Sequence, residues 1–89
     1  MQLQIITPEE TFFNGDVDIV RVPGSSGSFA IMHNHAPIIS TLEPGTIKIV
    51  QGVDERFFDI AEQSVVEQND NRVIIITQKI EESFPIFVR

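Results

Sequence analysis

The sequence contains no cysteine, no tryptophan and no tyrosine among its 89 residues. Without cysteine, disulfides cannot supplement the core of so small a domain, and zinc sites built on thiolates are excluded. Without Trp or Tyr, the chain lacks the exposed aromatic platforms expected of a carbohydrate-binding sandwich. The composition therefore leaves a single small domain that must be stabilised by its apolar core.

Basic residues are also few. Six Lys and Arg stand against 13 Asp and Glu, which gives a net charge of −7. Binding to a phosphate backbone needs clustered basic side chains, and here they are scattered along the chain. The composition therefore excludes nucleic-acid binding and predicts repulsion from an anionic membrane surface. Any association with a membrane has to come through a partner protein.

Long apolar runs are missing as well. The longest, Val73–Ile76, is far shorter than the roughly 18–20 residues of a membrane-spanning helix. The first residues, 1–8, have neither a basic stretch nor an apolar core, so they do not resemble a signal peptide. We expect no direct membrane insertion and a cytosolic location.

Helical periodicity is nearly absent, whereas two-residue alternation of apolar and polar residues recurs along the chain. Turn-forming residues separate these runs at 13–16, 43–45, 52–54 and 69–71. Many short strands at such spacing are typical of antiparallel sandwiches. The pattern predicts an all-β fold, a small antiparallel β-sandwich of about 8–10 short strands in one domain, 1–89. Phe84–Val88 also alternates and predicts a short edge strand, in which Pro85 is tolerated.

Seven phenylalanines are expected to form most of the aromatic core. Two pairs of neighbours, Phe12-Phe13 and Phe57-Phe58, qualify this expectation. Adjacent residues of a strand point to opposite faces. We therefore expect one ring of each pair to leave the core or to meet a second surface.

The two histidines lie close together in the stretch GSFAIMHNHAPI, which covers 27–38. If the backbone is extended there, His33 and His35 face the same way and could bind a metal in a small β-barrel. A zinc site needs a third protein ligand, and none is close in sequence. The competing interpretation is structural, with the His35 imidazole donating to a backbone carbonyl and fixing a tight corner.

No catalytic arrangement is evident. The stretch Pro23–Ser28 has the composition of a phosphate loop but lacks its Gly-Lys-Ser/Thr ending and the helix that would follow. The serines lie in turns without a base nearby in sequence. The residues therefore predict a non-catalytic protein that needs no cofactor and works by binding another protein.

Several stretches, in order and spacing, resemble the N-terminal β-sandwich domain of the epsilon subunit of rotary F-type ATP synthase. The resemblance covers nearly the whole chain, from Leu3 to about Lys79. The matching stretches are Leu3–Glu9 (family L-x-I-V-T-P-E), Phe13–Val17 (F-x-G-x-V), Val22–Ile31 (V-P-G-x-x-G-x-F-x-I), Asn34–Ile38 (N-H-A-P-L/I), Leu42–Gly45 (L-x-x-G) and Val65–Ile74 (G-x-V-E-V-x-x-N-x-V). Two positions depart from the pattern, because the family usually has Pro at His33 and often has Gly-Gly near 63–64.

The resemblance implies a subunit of the central stalk that binds the gamma subunit and the polar loops of the membrane c-ring. Such a subunit couples proton- or sodium-driven rotation to ATP synthesis, and it lies at the cytoplasmic face of the energy-transducing membrane. The loop around Gly27 and His35 corresponds to the family's ring-facing surface. The implied contact residues are Ser28, Phe29, Asn34 and His35 for the c-ring, and Thr7 and Ser40 for the gamma subunit.

In the family a pair of antiparallel helices usually follows the sandwich. The sequence from Phe84 to Val88 does not resemble the start of that hairpin, and Pro85 disfavours a helix. We therefore expect a short form without the helical hairpin. The resemblance then implies that the chain couples rotation without inhibiting ATP hydrolysis by inserting helices.

Overall fold

The computed structural model describes residues 1–84, and every regular element in that range is a β-strand. There are ten: β1 (Gln2–Ile6), β2 (Thr11–Asp16), β3 (Ile19–Val22), β4 (Phe29–Met32), β5 (Ile38–Leu42), β6 (Gly45–Gln51), β7 (Asp54–Ile60), β8 (Ser64–Asn69), β9 (Arg72–Ile76) and β10 (Ile80–Ser83). The range holds no helix that is long and apolar enough to cross a membrane.

The strands form two five-stranded sheets that pack face to face. Sheet A has the order β2-β1-β9-β8-β5 and sheet B the order β10-β7-β6-β3-β4. Neighbouring strands are antiparallel except β1 and β9, which run parallel with Gln2 opposite Arg72. The predicted small β-sandwich is confirmed, and the parallel pair is a feature that local alternation does not indicate.

The core lies between the two sheets and consists of the inward residue of each alternation. Along β8 the burial alternates strictly, as expected for a strand with one face buried and one exposed. The fully or almost fully buried apolar residues are Leu3, Ile5, Val17, Val20, Val22, Ile31, Leu42, Ile47, Ile49, Phe58, Ile60, Val66, Val73 and Ile75.

The hairpin predicted at 69–71 is confirmed. Asp70 and Asn71 both have positive φ, 53° and 60°, and they join β8 to β9 in the two-residue turn that matches the twist of a hairpin. The β6–β7 hairpin uses Gly52 instead, with φ 64°, followed by the exposed Val53. The turn predicted at 13–16 is wrong, because these residues pair with β1 as part of β2.

The phenylalanines contribute less to the core than their number predicts. Phe58 is fully buried, whereas Phe84 is 75% exposed. Phe57 faces outward and is half-buried, as expected for one member of its pair. The expectation for Phe12 and Phe13 is wrong, since both rings pack against Phe58 at centroid distances of 5.6 and 6.0 Å.

A β-bulge explains why both rings of this pair enter the core. Ile5 pairs with Phe13 and Ile6 pairs with Thr11, which leaves Phe12 as an extra residue in β2. A bulge places two residues opposite one and locally interrupts the alternation of faces. Phe12 and Phe13 therefore turn toward the same side. The strand predicted over 84–88 lies outside the described residues except for Phe84.

Each side of the sandwich brings together one edge strand from each sheet. On one side are β4 and β5, joined by the loop 33–37. We call residues 23–42, which include the β3–β4 loop that is bonded to β5, the β4–β5 edge. On the other side are β2 and β10; we call it the β2–β10 edge. The loops at the two ends of the strands define two further surfaces, of which the end with turn 70–71 also carries loop 33–37.

Candidate protein-contact surface

The residues predicted to contact partners lie mostly along the β4–β5 edge. Ser28 and Phe29 stand at the beginning of β4, Asn34 and His35 lie just beyond its end, and Ser40 is in β5. The four predicted ring residues therefore do not form one cluster. They fall into two pairs separated by the length of β4, about 13 Å for four residues.

The pair Asn34 and His35 belongs to a tight corner between the two sheets. Asn34 has a left-handed backbone, with φ 64°, and the His35 N–H donates to the Met32 carbonyl at 3.1 Å. His35 Nδ1 lies 2.7 Å from the Ala36 carbonyl and donates to it. The structural interpretation of His35 as a residue that fixes the corner is confirmed.

The premise of the metal-site alternative is wrong. Residues 33–34 form a turn, so His33 and His35 are not successive same-side residues of an extended strand. His33 is exposed at the turn. Across residues 1–84 there is no group of three His, Cys, Asp or Glu side chains that could hold a metal ion.

Sequence reasoning missed the residue that holds this corner, Asn71. Its Oδ1 accepts a hydrogen bond from the Asn34 N–H at 2.7 Å. Its Nδ2 donates to Asn34 Oδ1 at 3.2 Å. The two asparagines are separated by 37 residues in sequence, so no local pattern indicates that they meet. A signal does exist in retrospect, since Asn is among the few residues that readily adopt a left-handed backbone.

The other pair of predicted ring residues lies at the opposite end of β4. Ser28 is exposed and accepts a hydrogen bond from Arg21 Nη1 at 3.4 Å. Phe29 is half-buried and packs against the core. A Cβ atom on Gly24 would lie 2.7 Å from the Phe29 ring, so only glycine fits beneath that ring. Ser28 is thus free to meet a partner, whereas Phe29 supports the loop before it.

The β3–β4 loop is bound to β5 across the edge. Gly24 forms a β-bridge with Leu42. The Ser25 N–H donates to the Thr41 carbonyl at 3.0 Å, and the Ser25 hydroxyl lies 2.8 Å from Thr41 Oγ1 and 3.0 Å from a Glu43 carboxylate oxygen. These bonds join sheet B to sheet A at the end of the β4–β5 edge opposite to loop 33–37.

The two predicted gamma-contact residues occupy different places. Thr7 closes the turn after β1, where its hydroxyl donates to the Glu10 carbonyl at 3.2 Å and accepts from the Glu10 N–H at 3.3 Å. Ser40 lies within β5 and donates to the Thr41 carbonyl at 3.1 Å. They are not in contact with each other. Ser40 pairs with the buried Val66, so its side chain faces the inner side of the edge strand, whereas the next residue, Thr41, faces outward beside Val65.

That outer face carries an apolar row. Ile6 pairs with Ile76, Ile76 pairs with Val65, and Val65 pairs with Thr41, so these residues stand side by side across four strands. Ile76 is 55% exposed and Val65 39%. Exposed β-branched residues grouped on one sheet face are typical of a protein interface. The row begins beside Thr7 and ends beside Ser40.

The β2–β10 edge contains an ion pair instead of a polar loop. Arg56 donates two hydrogen bonds to the Glu82 carboxylate, at 2.8 and 2.9 Å. These hydrogen bonds lower the pKa of Glu82 and raise the pKa of Arg56. Partial burial opposes both shifts, and the charge of the partner adds to them. The guanidinium also lies 5.4 and 5.3 Å from the centres of the Phe13 and Phe58 rings.

The sequence of the sandwich matches a known protein family. Residues 1–83 match the model of the family described as "ATP synthase, Delta/Epsilon chain, beta-sandwich domain". The chain belongs to this family. The resemblance seen in the motifs is therefore confirmed over the whole sandwich.

Relatives named ATP synthase epsilon chain occur in several bacteria. The chain is 40% identical over 78 residues to the protein of Leptospira borgpetersenii, covering 86% of this chain and 60% of that protein. It is 32% identical over 88 residues to the protein of Desulforamulus reducens, covering 98% of this chain and 65% of that protein. The chain thus spans less than two thirds of the length of either relative.

Two solved assemblies contain the same fold. One is the OSCP/F1/c-ring part of the Euglena gracilis mitochondrial ATP synthase, with a TM-score of 0.82 at 18% identity over 90% of this chain and 51% of that chain. The other is the central stalk and c-ring of the Tetrahymena thermophila mitochondrial ATP synthase, with a TM-score of 0.74 at 20% identity, covering 90% and 64%. At these identities the likeness establishes the fold.

Proposed function

We propose that the chain is a non-catalytic central-stalk subunit of a rotary ATP synthase, which binds the gamma subunit and the c-ring and couples ion-driven rotation to ATP synthesis. Family membership supports this role, as do the ATP synthase assemblies that contain the same fold, one of which is a central stalk with its c-ring. In this role the subunit lies at the cytoplasmic face of the membrane and is attached through its partners.

The observation that carries the proposal is the apolar row Ile6–Ile76–Val65 on the outer face of sheet A. A net charge of −7 keeps the chain soluble, yet along this row aliphatic side chains follow one another without an intervening charge. The row lies between Thr7 and Ser40, the residues predicted to contact gamma. We therefore assign the gamma contact to this face. It ends near Thr7 on one side and at β5 on the other, where Ser40 lies on the edge strand with its side chain directed inward beside Val66.

The ring contact falls to the β4–β5 edge. Ser28 at one end of β4, and Asn34 and His35 at the other, present polar groups on a backbone held by hydrogen bonds. Polar, well-ordered groups suit a contact with the polar loops of a ring that turns together with the stalk. Phe29 is half-buried and packs against the core beneath this edge. We therefore expect it to contribute less to the contact with the ring than Ser28, Asn34 and His35.

Binding to the purified gamma subunit tests the gamma face. Replacing Ile76 by Asp places a charge in the middle of the row and should cost about 2 kcal/mol or more of binding free energy, as for a central interface residue. That is about thirtyfold in affinity. Val53→Asp is the matched control, since Val53 is 98% exposed on the β6–β7 hairpin. Equal affinity for both variants would overturn the assignment.

Cysteine cross-linking in the assembled ATP synthase tests the ring contact. The chain has no cysteine, so Ser28→Cys and Asn34→Cys each introduce a single attachment point for a short photo-reactive probe. We expect both to label the ring subunit. Labelling from neither position, in a complex that contains the chain, would refute the ring contact. Labelling from one position alone would refute the assignment for the other end of β4.

A further inference from the structure

We propose that Asn71 is a positioning residue for the ring contact, which holds loop 33–37 in the geometry that presents Asn34 and His35 to the c-ring. The inference rests on the proposed function but concerns a residue outside the predicted contact set. Asn71 lies in the β8–β9 turn of sheet A, whereas the loop that it holds begins at the end of β4 in sheet B.

The first support is the bonding itself. Asn71 contacts both the backbone and the side chain of Asn34: its Oδ1 accepts from the N–H at 2.7 Å, and its Nδ2 donates to Oδ1 at 3.2 Å. Two bonds between the same two residues fix orientation as well as distance. A side chain of similar volume without polar atoms can form neither bond.

The second support is that few other hydrogen bonds restrain the loop. Within residues 1–84, the other hydrogen bonds of loop 33–37 are local, from the His35 N–H to the Met32 carbonyl and from His35 Nδ1 to the Ala36 carbonyl. Local bonds shape the corner but do not position it relative to the sandwich. Within residues 1–84, the side-chain bonds that tie this loop to a distant element are those of Asn71.

The third support is that Asn71 is itself firmly anchored. Its carbonyl accepts a hydrogen bond from the Gln2 N–H at 3.0 Å, and its turn joins β8 and β9, which are interior strands of sheet A. The position of the turn is therefore set by the centre of the sheet. Asn71 transfers that position to a loop at the edge, with a concave surface between them lined by His35, Pro37 and Asp70.

A loop held in its binding geometry loses less conformational freedom when a partner binds. Removing the tie should therefore weaken ring binding although no contact group is deleted. The expected effect is about three- to tenfold in apparent affinity, the range for one or two net hydrogen bonds. Stability should change much less, because Asn71 is partly exposed and lies outside the core.

The test compares two glycine variants of the same turn. Asn71→Gly removes the amide and keeps the positive φ, which glycine adopts without strain. Asp70→Gly is the matched control, since Asp70 also has a positive φ, 53°, but no hydrogen bond to Asn34. Each is combined with Ala36→Cys, which carries a photo-reactive probe on the exposed loop, and is assembled into the complete ATP synthase.

We expect the yield of cross-link to the ring subunit to fall about three- to tenfold for Asn71→Gly and to stay near that of the parent for Asp70→Gly. The thermal unfolding midpoints of the two isolated variants should be similar. Equal yields for the two variants would overturn the inference. No cross-link from the Ala36→Cys parent would instead refute the proposed ring contact at this end of β4.

A conservative variant keeps the test decisive if Asn71→Gly folds poorly. Asn71→Asp retains an acceptor for the Asn34 N–H, and the Asn34 amide can turn to donate to it. Aspartate also tolerates a left-handed backbone. We expect this variant to restore most of the cross-link. A yield as low as that of Asn71→Gly, in a variant with parental unfolding behaviour, would contradict a positioning role.

Discussion

The two edges of the sandwich are closed by different kinds of interaction. On the β4–β5 edge, the sheets are joined by a β-bridge between Gly24 and Leu42 and by the hydroxyl and backbone bonds of Ser25. On the β2–β10 edge, the sheets are joined by three phenylalanine rings and by Arg56, which lies over the Phe13 ring of sheet A and forms an ion pair with Glu82 within sheet B. The first set is directional and polar, and the second is mainly apolar.

The difference indicates a division of labour. Burial of aromatic surface stabilises a fold without fixing the position of a loop to a fraction of an ångström. Hydrogen bonds contribute little net free energy each, but they define orientation. The β4–β5 edge, which carries most of the predicted contact residues, is built from the directional kind. Changes at the β2–β10 edge should therefore act on stability, and changes at the β4–β5 edge on binding.

The largest effect is expected at the β2–β10 edge, from Phe58→Ala. Phe58 has no exposed surface and packs against Phe12 and Phe13, so the variant leaves a cavity beneath both rings. We expect a loss of about 3–5 kcal/mol in the free energy of unfolding, measured by urea denaturation.

Phe57→Ala is the control for this change, since Phe57 is the next residue of β7 and faces outward. Its loss should be clearly smaller, because a half-buried side chain contributes less apolar area. Equal losses for the two variants would show that the aromatic contacts of Phe58 do not dominate this edge.

The next effect is expected on the opposite edge, from Gly24→Ala. A Cβ there would lie 2.7 Å from the Gly27 carbonyl oxygen, which is backbone and cannot simply rotate away. We expect a loss of about 1–3 kcal/mol from overpacking and a displaced β3–β4 loop, seen as reduced cross-linking from Ser28→Cys.

Gly15→Ala provides the comparison on β2, because the nearest atom to its Cβ would be at 3.5 Å, an ordinary contact. It should be nearly neutral. If Gly24→Ala keeps both its stability and its cross-linking, the position of the β3–β4 loop does not depend on the close contacts of Gly24.

Removing a buried amide next to the β4–β5 edge should raise the free energy of unfolding, in contrast to the two changes above. Gln68, on β8 beside β5, is 1% exposed, and neither of its amide atoms has a hydrogen-bond partner among residues 1–84. Since an unpaired buried polar group costs about 1–3 kcal/mol, Gln68→Met should raise the free energy of unfolding by about 1 kcal/mol.

Ser64→Ala is the counterpart at the other end of β8. The Ser64 hydroxyl donates to Thr77 Oγ1 at 2.7 Å and is thus satisfied within the core, so its removal should destabilise. If Gln68→Met also destabilises, the Gln68 amide has a partner such as an ordered water, and the contrast between the two buried polar sites disappears.

The sequence predicted the fold because the information is local. Alternation over two residues identified the strands, and three consecutive residues capable of turning identified the hairpin at 69–71. Local patterns also carried the family motifs. What they could not indicate depends on pairing between distant segments, such as the parallel alignment of β1 with β9 and the bulge that turns Phe12 into the core.

The candidate site was predictable only in part for the same reason. The corner at His35 follows from a short motif, Asn-His-Ala-Pro, and its hydrogen bond to Ala36 involves the next residue. The bonds between Asn34 and Asn71 cross 37 positions. The apolar row on sheet A likewise takes its residues from β1, β8 and β9, none of which is unusual when read alone.

The smallest expected effect is the pH dependence of the β2–β10 edge. Hydrogen bonds from Arg56 hold the pKa of Glu82 below its ordinary value of 4.5. The folded state therefore binds fewer protons than the unfolded state in this range. The resulting stabilisation is fully present above the ordinary pKa and is lost as the pH falls through the lowered pKa.

Because solvent reaches both side chains, this stabilisation should amount to about 0.5–1 kcal/mol. Glu82→Gln should be less stable than the parent by this amount at pH 7, and the difference should be smaller at pH 3, as measured by urea denaturation at both values. Glu81→Gln removes the same charge from the neighbouring exposed residue and should leave this pH dependence intact. A constant difference between Glu82→Gln and the parent at both pH values would assign the contribution of Glu82 to packing over the phenylalanine rings and not to its charge.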